Sequence, residues 1–129
     1  VFQTFPGFIR RRKMTKLKLT LSTNAGGTGS VTSRVVDGCL YGIYVEVGTL
    51  AATSDLTITQ NDGQGSLPVL TVANVSASAW YFPVISGTHY TGSGTPKTDG
   101  EMPVTGEITI AVAEGGDSKS GSIYLLVEE

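Results

Sequence analysis

The stretch "TKLKLTLS" sets Leu17, Leu19 and Leu21 against Lys16, Lys18 and Thr20 in a strict period of two. Successive side chains of an extended chain point to opposite faces, so this alternation describes a strand with one dry and one wet face. No helical period survives for three turns anywhere in the chain, whereas the period of two keeps returning. "CLYGIYVEV" places Cys39, Tyr41, Ile43, Val45 and Val47 on one face, with Tyr44 and Glu46 opposite. "DLTIT" (55–59) alternates briefly. "GEITIAVA" (106–113) aligns Ile108, Ile110 and Val112, and "SIYLLVEE" aligns Ile123, Leu125 and Val127. "LPVLTVA" carries Pro68 near its start, where a strand tolerates a missing N–H, and "WYFPVI" is a further apolar run.

Turn chemistry separates these segments. "NAGGTG" is expected to turn the chain so that "SVTSRVV" returns as the second arm of a hairpin, and Asp37-Gly38 reads as a tight-turn pair. "QNDGQGS" and "EGGDSKSG" are polar loops, and 86–103 reads as one long loop. About eight short strands with regular turn signals predict an all-β fold, a single antiparallel β-sandwich of jelly-roll or Ig-like kind. At 129 residues the chain is long enough for one unstapled core. Only 16% of residues are charged, and Gly, Thr, Val and Ile stand where a helical protein would carry Ala, Leu, Glu and Lys.

Charge divides the chain into 1–13 and 14–129. "VFQTFPGFIRRRK" carries +4 from Arg10, Arg11, Arg12 and Lys13; since the whole is −2, the remainder is −6. A body so charged argues against a nucleic-acid face. In the leading segment the charges follow the apolar part, the reverse of a secretory signal, and Pro6-Gly7 interrupts any amphipathic helix. Two readings stand: a mis-assigned start, with Met14 as the true first residue, or a basic N-terminal arm. In the arm reading Phe2, Phe5, Phe8 and Ile9 dock on a neighbour while the Arg cluster meets an acidic surface. No apolar run approaches the ~20 residues of a membrane helix, so no membrane partner is expected.

The residues offer little to a chemist. Cys39 has no second cysteine, and His89 is the only histidine, so neither a disulfide nor a transition-metal site is expected. "NDGQGS" (61–66) lacks the alternating acidic ligands and distal Glu of a calcium loop and reads better as a hairpin turn. His89, between Ser86 and Ser93 in the Gly-rich loop, has no neighbouring acid to orient it and reads as a surface histidine. The Gly-rich runs join no strand to a helix, so no helix end cradles a phosphate. Neither an enzyme nor a cofactor is expected.

The densest aromatic stretch is "SAWYFPVISGTHYTGSG" (78–94). A core of this size has need of large rings, so Trp80 and Phe82 are expected to point inward and Tyr81 outward beside Tyr90. The expected core is Leu19, Ile43, Val45, Ile58, Val72, Trp80, Phe82, Ile110, Ile123 and Leu125. The expected interface is Arg10, Arg11, Arg12, Lys13, Tyr81, His89 and Tyr90, since tyrosine and arginine are enriched where proteins meet.

The body, with its opening "KLKLTLSTNAGGTGSVTSRVVDGCLYGIYVEV", the short "DLTIT", the aromatic-proline "WYFP" and the ending "EITIAVAEGGDSKSGSIYLLVEE", resembles small structural proteins of tailed-bacteriophage virions. These are proteins of the capsid decoration or cement kind. The resemblance implies a non-enzymatic protein of the capsid surface, assembled in the bacterial host cytoplasm. Its implied partners are copies of itself, with a trimer favoured, and the major capsid protein or other virion proteins. The alternative is a carbohydrate- or receptor-binding domain of a phage tail or collar fibre, using Tyr81, His89 and Tyr90.

Overall fold

Each alternating segment needs a neighbour to satisfy its backbone and to cover its dry face. In the computed structural model, which describes residues 13–83 and 102–129, those neighbours come mostly from far along the chain. Every regular element among the described residues is a strand: β1 (Met14–Ser22), β2 (Gly29–Thr32), β3 (Val36–Glu46), β4 (Ser54–Asn61), β5 (Ser66–Val75), β6 (Ala79–Tyr81), β7 (Met102–Ala113) and β8 (Ser120–Glu128). They form one antiparallel sheet in the order β1-β8-β3-β7-β4-β5, with β2 added to β7 and β6 added to β3. The fold is all-β, as the alternation predicts.

β7 joins the two halves of this sheet. Its first residues pair with β3, Met102 to Gly106 against Leu40 to Val36. From Glu107 onward it pairs with β4 instead. The change of partner falls at Gly106, where a Cβ would collide with the Asn61 carbonyl oxygen. β2 lies on the side of β7 opposite β4, and the chain between β2 and β3 interrupts that ladder. Ser33 repairs the break: its N–H donates to the Ile108 carbonyl (2.8 Å) and its Oγ accepts the Ile108 N–H (3.0 Å). Both halves feed one apolar cluster, in which Leu21, Ile43, Val45, Leu56, Ile58, Ile110, Ile123 and Leu125 are fully buried.

Several sequence expectations change on this scaffold. β1 and β2 are not a hairpin. β1 spends its ladder on β8, from Met14↔Glu128 to Ser22↔Ser120, and β2 crosses to β7. Asp37-Gly38 is no turn but lies inside β3; glycine is needed there because a Cβ would strike the Glu128 carbonyl oxygen. The long loop ends earlier than Pro103, since β7 begins at Met102. In β3 the pairing with β8 slips between Leu40 and Gly42. That bulge reverses the phase, so Leu40 is buried and Tyr41 exposed, although Tyr41 had shared a face with Ile43 on paper.

The expected core holds for Ile43, Val45, Ile58, Ile110, Ile123 and Leu125, and in part for Leu19 and Val72, which are half-buried. It fails for Trp80 and Phe82, 42% and 64% exposed. β6 alternates as expected, but in the opposite phase. Residues directly opposite in a ladder share a face; Tyr81 faces Ile43 and so turns inward, while Trp80 faces Tyr44 and so turns outward. Aliphatic side chains already occupy the core there, and Tyr81 packs against them only partly covered.

The Gly-rich turns hold the fold together at one end. The Gly115 N–H donates to the Gly27 carbonyl (2.8 Å) and the Ala51 N–H to the Gly115 carbonyl (3.0 Å). Thr23 Oγ1 donates to the Gly116 carbonyl (2.6 Å) and accepts the Lys119 N–H (2.8 Å). The three turns therefore lock to one another through backbone groups and the Thr23 hydroxyl.

Candidate functional site

The outward phase of β6 creates the most distinctive surface among the described residues. Register fixes it rung by rung: Lys18 of β1 stands opposite Tyr124 of β8, Tyr124 opposite Tyr44 of β3, and Tyr44 opposite Trp80 of β6. Four strands thus contribute one row running straight across the sheet on the face away from the core. Tyr44 and Trp80 meet with ring centroids 5.3 Å apart, tilted by 52°, and Tyr44 and Tyr124 at 6.1 Å and 50°. The Lys18 ammonium lies 5.8 Å from the centre of the Tyr124 ring, within reach of a cation–π attraction. Phe82 continues the row past the end of β6, parallel to Trp80 within 10° and 5.9 Å away.

Gly42 lets the last two rings lie down. A Cβ at that position would sit 3.1 Å from the Phe82 ring and 3.3 Å from the Trp80 ring. The absence of a side chain therefore leaves a seat against which both pack, and they hold a fixed orientation while much of their surface faces water. Each cross-strand aromatic pair is worth about 0.2–1 kcal/mol. That fixes the rings without explaining why such large apolar surface stays outside. Exposed apolar surface collected in one place marks a contact site more often than chance scatter does.

Of the residues expected at an interface, the structure describes Lys13 and Tyr81. Lys13 is exposed and extends the β1–β8 ladder, exchanging both backbone hydrogen bonds with Glu129 (3.1 Å each). Tyr81 is turned to the core and does not present its ring outward, which corrects that expectation. Arg10, Arg11, Arg12, His89 and Tyr90 lie outside the described residues, as do Ser86 and Ser93. The residues missed as surface partners are Trp80, Phe82, Tyr124 and Lys18. The alternation of β3 places Tyr44 away from the core, but nothing in the linear pattern lines it up with rings contributed by β6 and β8.

The described part of the molecule holds no group of three or more His, Cys, Asp or Glu residues placed to share a metal ion. In the 61–66 loop the carboxamide and carboxylate oxygens are used locally: Asn61 Oδ1 accepts the Gly63 N–H and Asp62 Oδ1 the Gln64 N–H, each at 2.9 Å. Close to the start of β1, Arg34 grips Glu129 with two parallel bonds, 2.9 Å to Oε2 and 2.7 Å to Oε1. The guanidinium holds the Glu129 carboxyl below the usual carboxylate range, chiefly through those hydrogen bonds, and Glu129 in turn raises Arg34. This bidentate pair is a clamp on the strand ends rather than a reactive group.

No protein-family model matches the chain. No curated protein is significantly similar to it either.

Proposed function

We propose that this chain is a non-enzymatic structural protein of a bacteriophage virion, a capsid decoration or cement protein that grips the shell and copies of itself at the capsid surface. The observation that carries the reading is the outward aromatic row ending in Trp80 and Phe82, an anchor suited to a flat protein partner. Interface hot spots are enriched in tryptophan and tyrosine, and a rigid ring loses little entropy on docking. The densely interlocked turns suit a protein whose task is to hold fast. For the architecture we infer a two-layer β-sandwich of jelly-roll or Ig-like kind, a reading supported by two sheet halves that share β7 and one core.

The same rings support a second reading, a carbohydrate-binding domain of a tail or collar fibre, because two parallel exposed rings are a surface on which sugars stack. In this version Trp80 and Phe82 stand in for Tyr81, whose ring packs against the core. One experiment separates the two. The full chain is cosedimented with decoration-free capsids of the phage whose genome encodes it and, in parallel, applied to a glycan array. The cement reading expects capsid binding that falls by at least about tenfold in a Trp80→Ala, Phe82→Ala variant, the loss of roughly one hot-spot residue or more. Glycan binding lost in the same variant, with no capsid binding by the parent, would overturn it.

A further inference from the structure

The two halves of the sheet turn unlike faces to water. On the half built from β2, β4, β5 and the later part of β7 the outward rungs are small or polar. Ser30, Ala111, Thr57 and Thr71 form one row, and Thr32, Thr109 and Thr59 the next. On the half built from β1, β8, β3 and β6 they are large and apolar. One rung carries Lys18, Tyr124, Tyr44 and Trp80. The rung before it carries Lys16, Leu126 and Gly42, with the Phe82 ring lying against the glycine. Met14, one rung further, is exposed, as are Trp80 and Phe82. Surface of that kind gains free energy only when a partner covers it.

Charge complementarity names the partner. The two apolar rungs run from exposed lysines on β1 to stacked rings at β6, so the face is cationic on one side and rich in π surface on the other. Ammonium groups are attracted to the faces of such rings. We propose that the partner is a second copy of this chain, packed face to face on the β1-β8-β3-β6 half. The two-fold axis runs parallel to the strands and passes between β8 and β3. It lays β1 of one copy over β6 of the other and keeps each rung at its own height. Lys18 then stands over Trp80 of the second copy, Tyr124 over Tyr44, and Lys16 with Leu126 against the Phe82 ring. Every one of these contacts occurs twice. The other in-plane axis that keeps the strands aligned, perpendicular to them, would lay β1 on β1 and set lysine against lysine. Aligned sheets pack about 10 Å apart, a gap that a lysine stem and the thickness of a ring together fill.

Size sets the strength. Four strands at about 4.8 Å and three apolar rungs at about 6.8 Å give a footprint of roughly 400 Å². That is short of the ~800 Å² per partner in a standard stable interface, so the dimer is expected in the micromolar range. It is two-fold, in place of the three-fold assembly expected from sequence. The inference rests on the reading of the aromatic row as a protein contact surface and deepens it by naming the partner; it does not depend on the virion assignment. Self-association is measured on the isolated chain and capsid binding on particles, so either can fail without the other.

Sedimentation velocity on the full chain from about 1 to 200 μM, a range that brackets micromolar affinity, is expected to show a species of twice the 13.5 kDa chain mass. Lys18→Glu and Trp80→Lys, both at exposed positions, should each weaken self-association by at least about tenfold, since two symmetric contacts are lost together. Lys18→Gln, which keeps the stem and adds no opposite charge, should still weaken it severalfold. Within one chain the two residues stand three strands apart, about 14 Å, so they act on each other only across the dimer. An equimolar mixture of Lys18→Glu and Trp80→Lys should therefore recover the dimer. The mixed pair keeps one native Lys18–Trp80 contact and gains a carboxylate–ammonium pair at the other. Unchanged far-UV circular dichroism checks that each variant is folded. A parent chain that stays monomeric at the top of the range would overturn the proposal. So would a mixture no better associated than its components, or an oligomer of any size indifferent to both substitutions, which would place the contact elsewhere.

Discussion

The two ends of the sheet, β1 and β5, face the same hazard and meet it differently. Among the described residues each has a partner strand on one side only, the position in which unpaired backbone groups can recruit a passing strand. β5 is blunted along its length. It carries Pro68, which has no N–H to offer, and its pairing with β4 slips twice, between Ser54 and Leu56 and between Ile58 and Thr59. At the first slip Asn74 takes a left-handed turn (φ 53°), and its N–H donates to Asp55 Oδ1 at 3.0 Å. Bulges of this kind twist an edge out of the plane a partner would need. β1 has no proline, no bulge and no left-handed residue. β5 is closed by backbone irregularity, whereas β1 stays straight and is guarded instead by the exposed charges of Lys16 and Lys18 and by Gly29 of β2 lying against its Ser22 carbonyl.

Side-chain anchoring offers the largest test of that contrast. Leu21 of β1 is wholly buried in the common core, whereas Leu67 of β5 is 51% exposed. Leu21→Ala should cost about 2–5 kcal/mol in urea unfolding, through lost transfer energy and the cavity left behind. Leu67→Ala should stay within about 0.5 kcal/mol, the usual range for exposed positions. Equal costs would mean that the two edges are held alike and that the difference between them is confined to the backbone.

β6, a third and much shorter edge, sharpens the comparison at intermediate size. A fully buried tryptophan would cost about 3–5 kcal/mol on truncation. Trp80 lies outside, 42% exposed, and packs against Tyr44, Phe82 and the face of Gly42. Trp80→Ala should therefore cost about 1 kcal/mol, near the upper value of one cross-strand pair. A loss above about 3 kcal/mol would return the ring to the core.

Next comes the backbone of β5. Left-handed geometry disfavours any side chain with a Cβ by about 1–2 kcal/mol, asparagine least. Asn74→Gly should be close to neutral and Asn74→Ala should lose about 1 kcal/mol. If both were neutral, Asn74 would not be holding the bulge, and the edge would be blunted by Pro68 alone.

What the sequence made legible follows from the range of each interaction. Alternation is a local property, so β1, β3, β4, β7 and β8 could be placed from their own residues, and with them most of the buried aliphatics. Pairing is not local. That "SVTSRVV" would leave β1 for β7, and that Asp37-Gly38 would run straight through β3, depend on close approaches to Glu128 and Ile108 more than seventy residues away. Phase is readable only where one face is plainly polar. In β1 the lysines decide it. In "AWYF" both faces are aromatic, and the choice between Trp80 and Tyr81 rests on which of them faces Ile43 across the ladder. The aromatic row needed three such registers at once, which is why it was out of reach before the strands were aligned.

The smallest expected effect concerns how the β1 edge begins. Next to β1, Arg34 holds the Glu129 carboxylate by two bonds, and the Asp37 N–H adds a longer one at 3.5 Å. The turn leading into β5 is tied instead by Asn61 and Asp62 to its own backbone. The Glu129 carboxyl is depressed in the folded chain, first by the Arg34 hydrogen bonds. An acid depressed on folding favours the folded state most above its unfolded value, about 4.3 for a glutamate, and loses that contribution as the pH falls through the lower, folded value. Both side chains stay in contact with water, so the effect is modest and screened by salt. Glu129→Gln should therefore lower the melting temperature slightly at pH 7 and by less as the pH is brought down through the acid range, and added salt should shrink the difference. A deficit that persists unchanged at pH 3 would show that Glu129 acts by packing, and that the Lys13–Glu129 rung alone secures the start of β1.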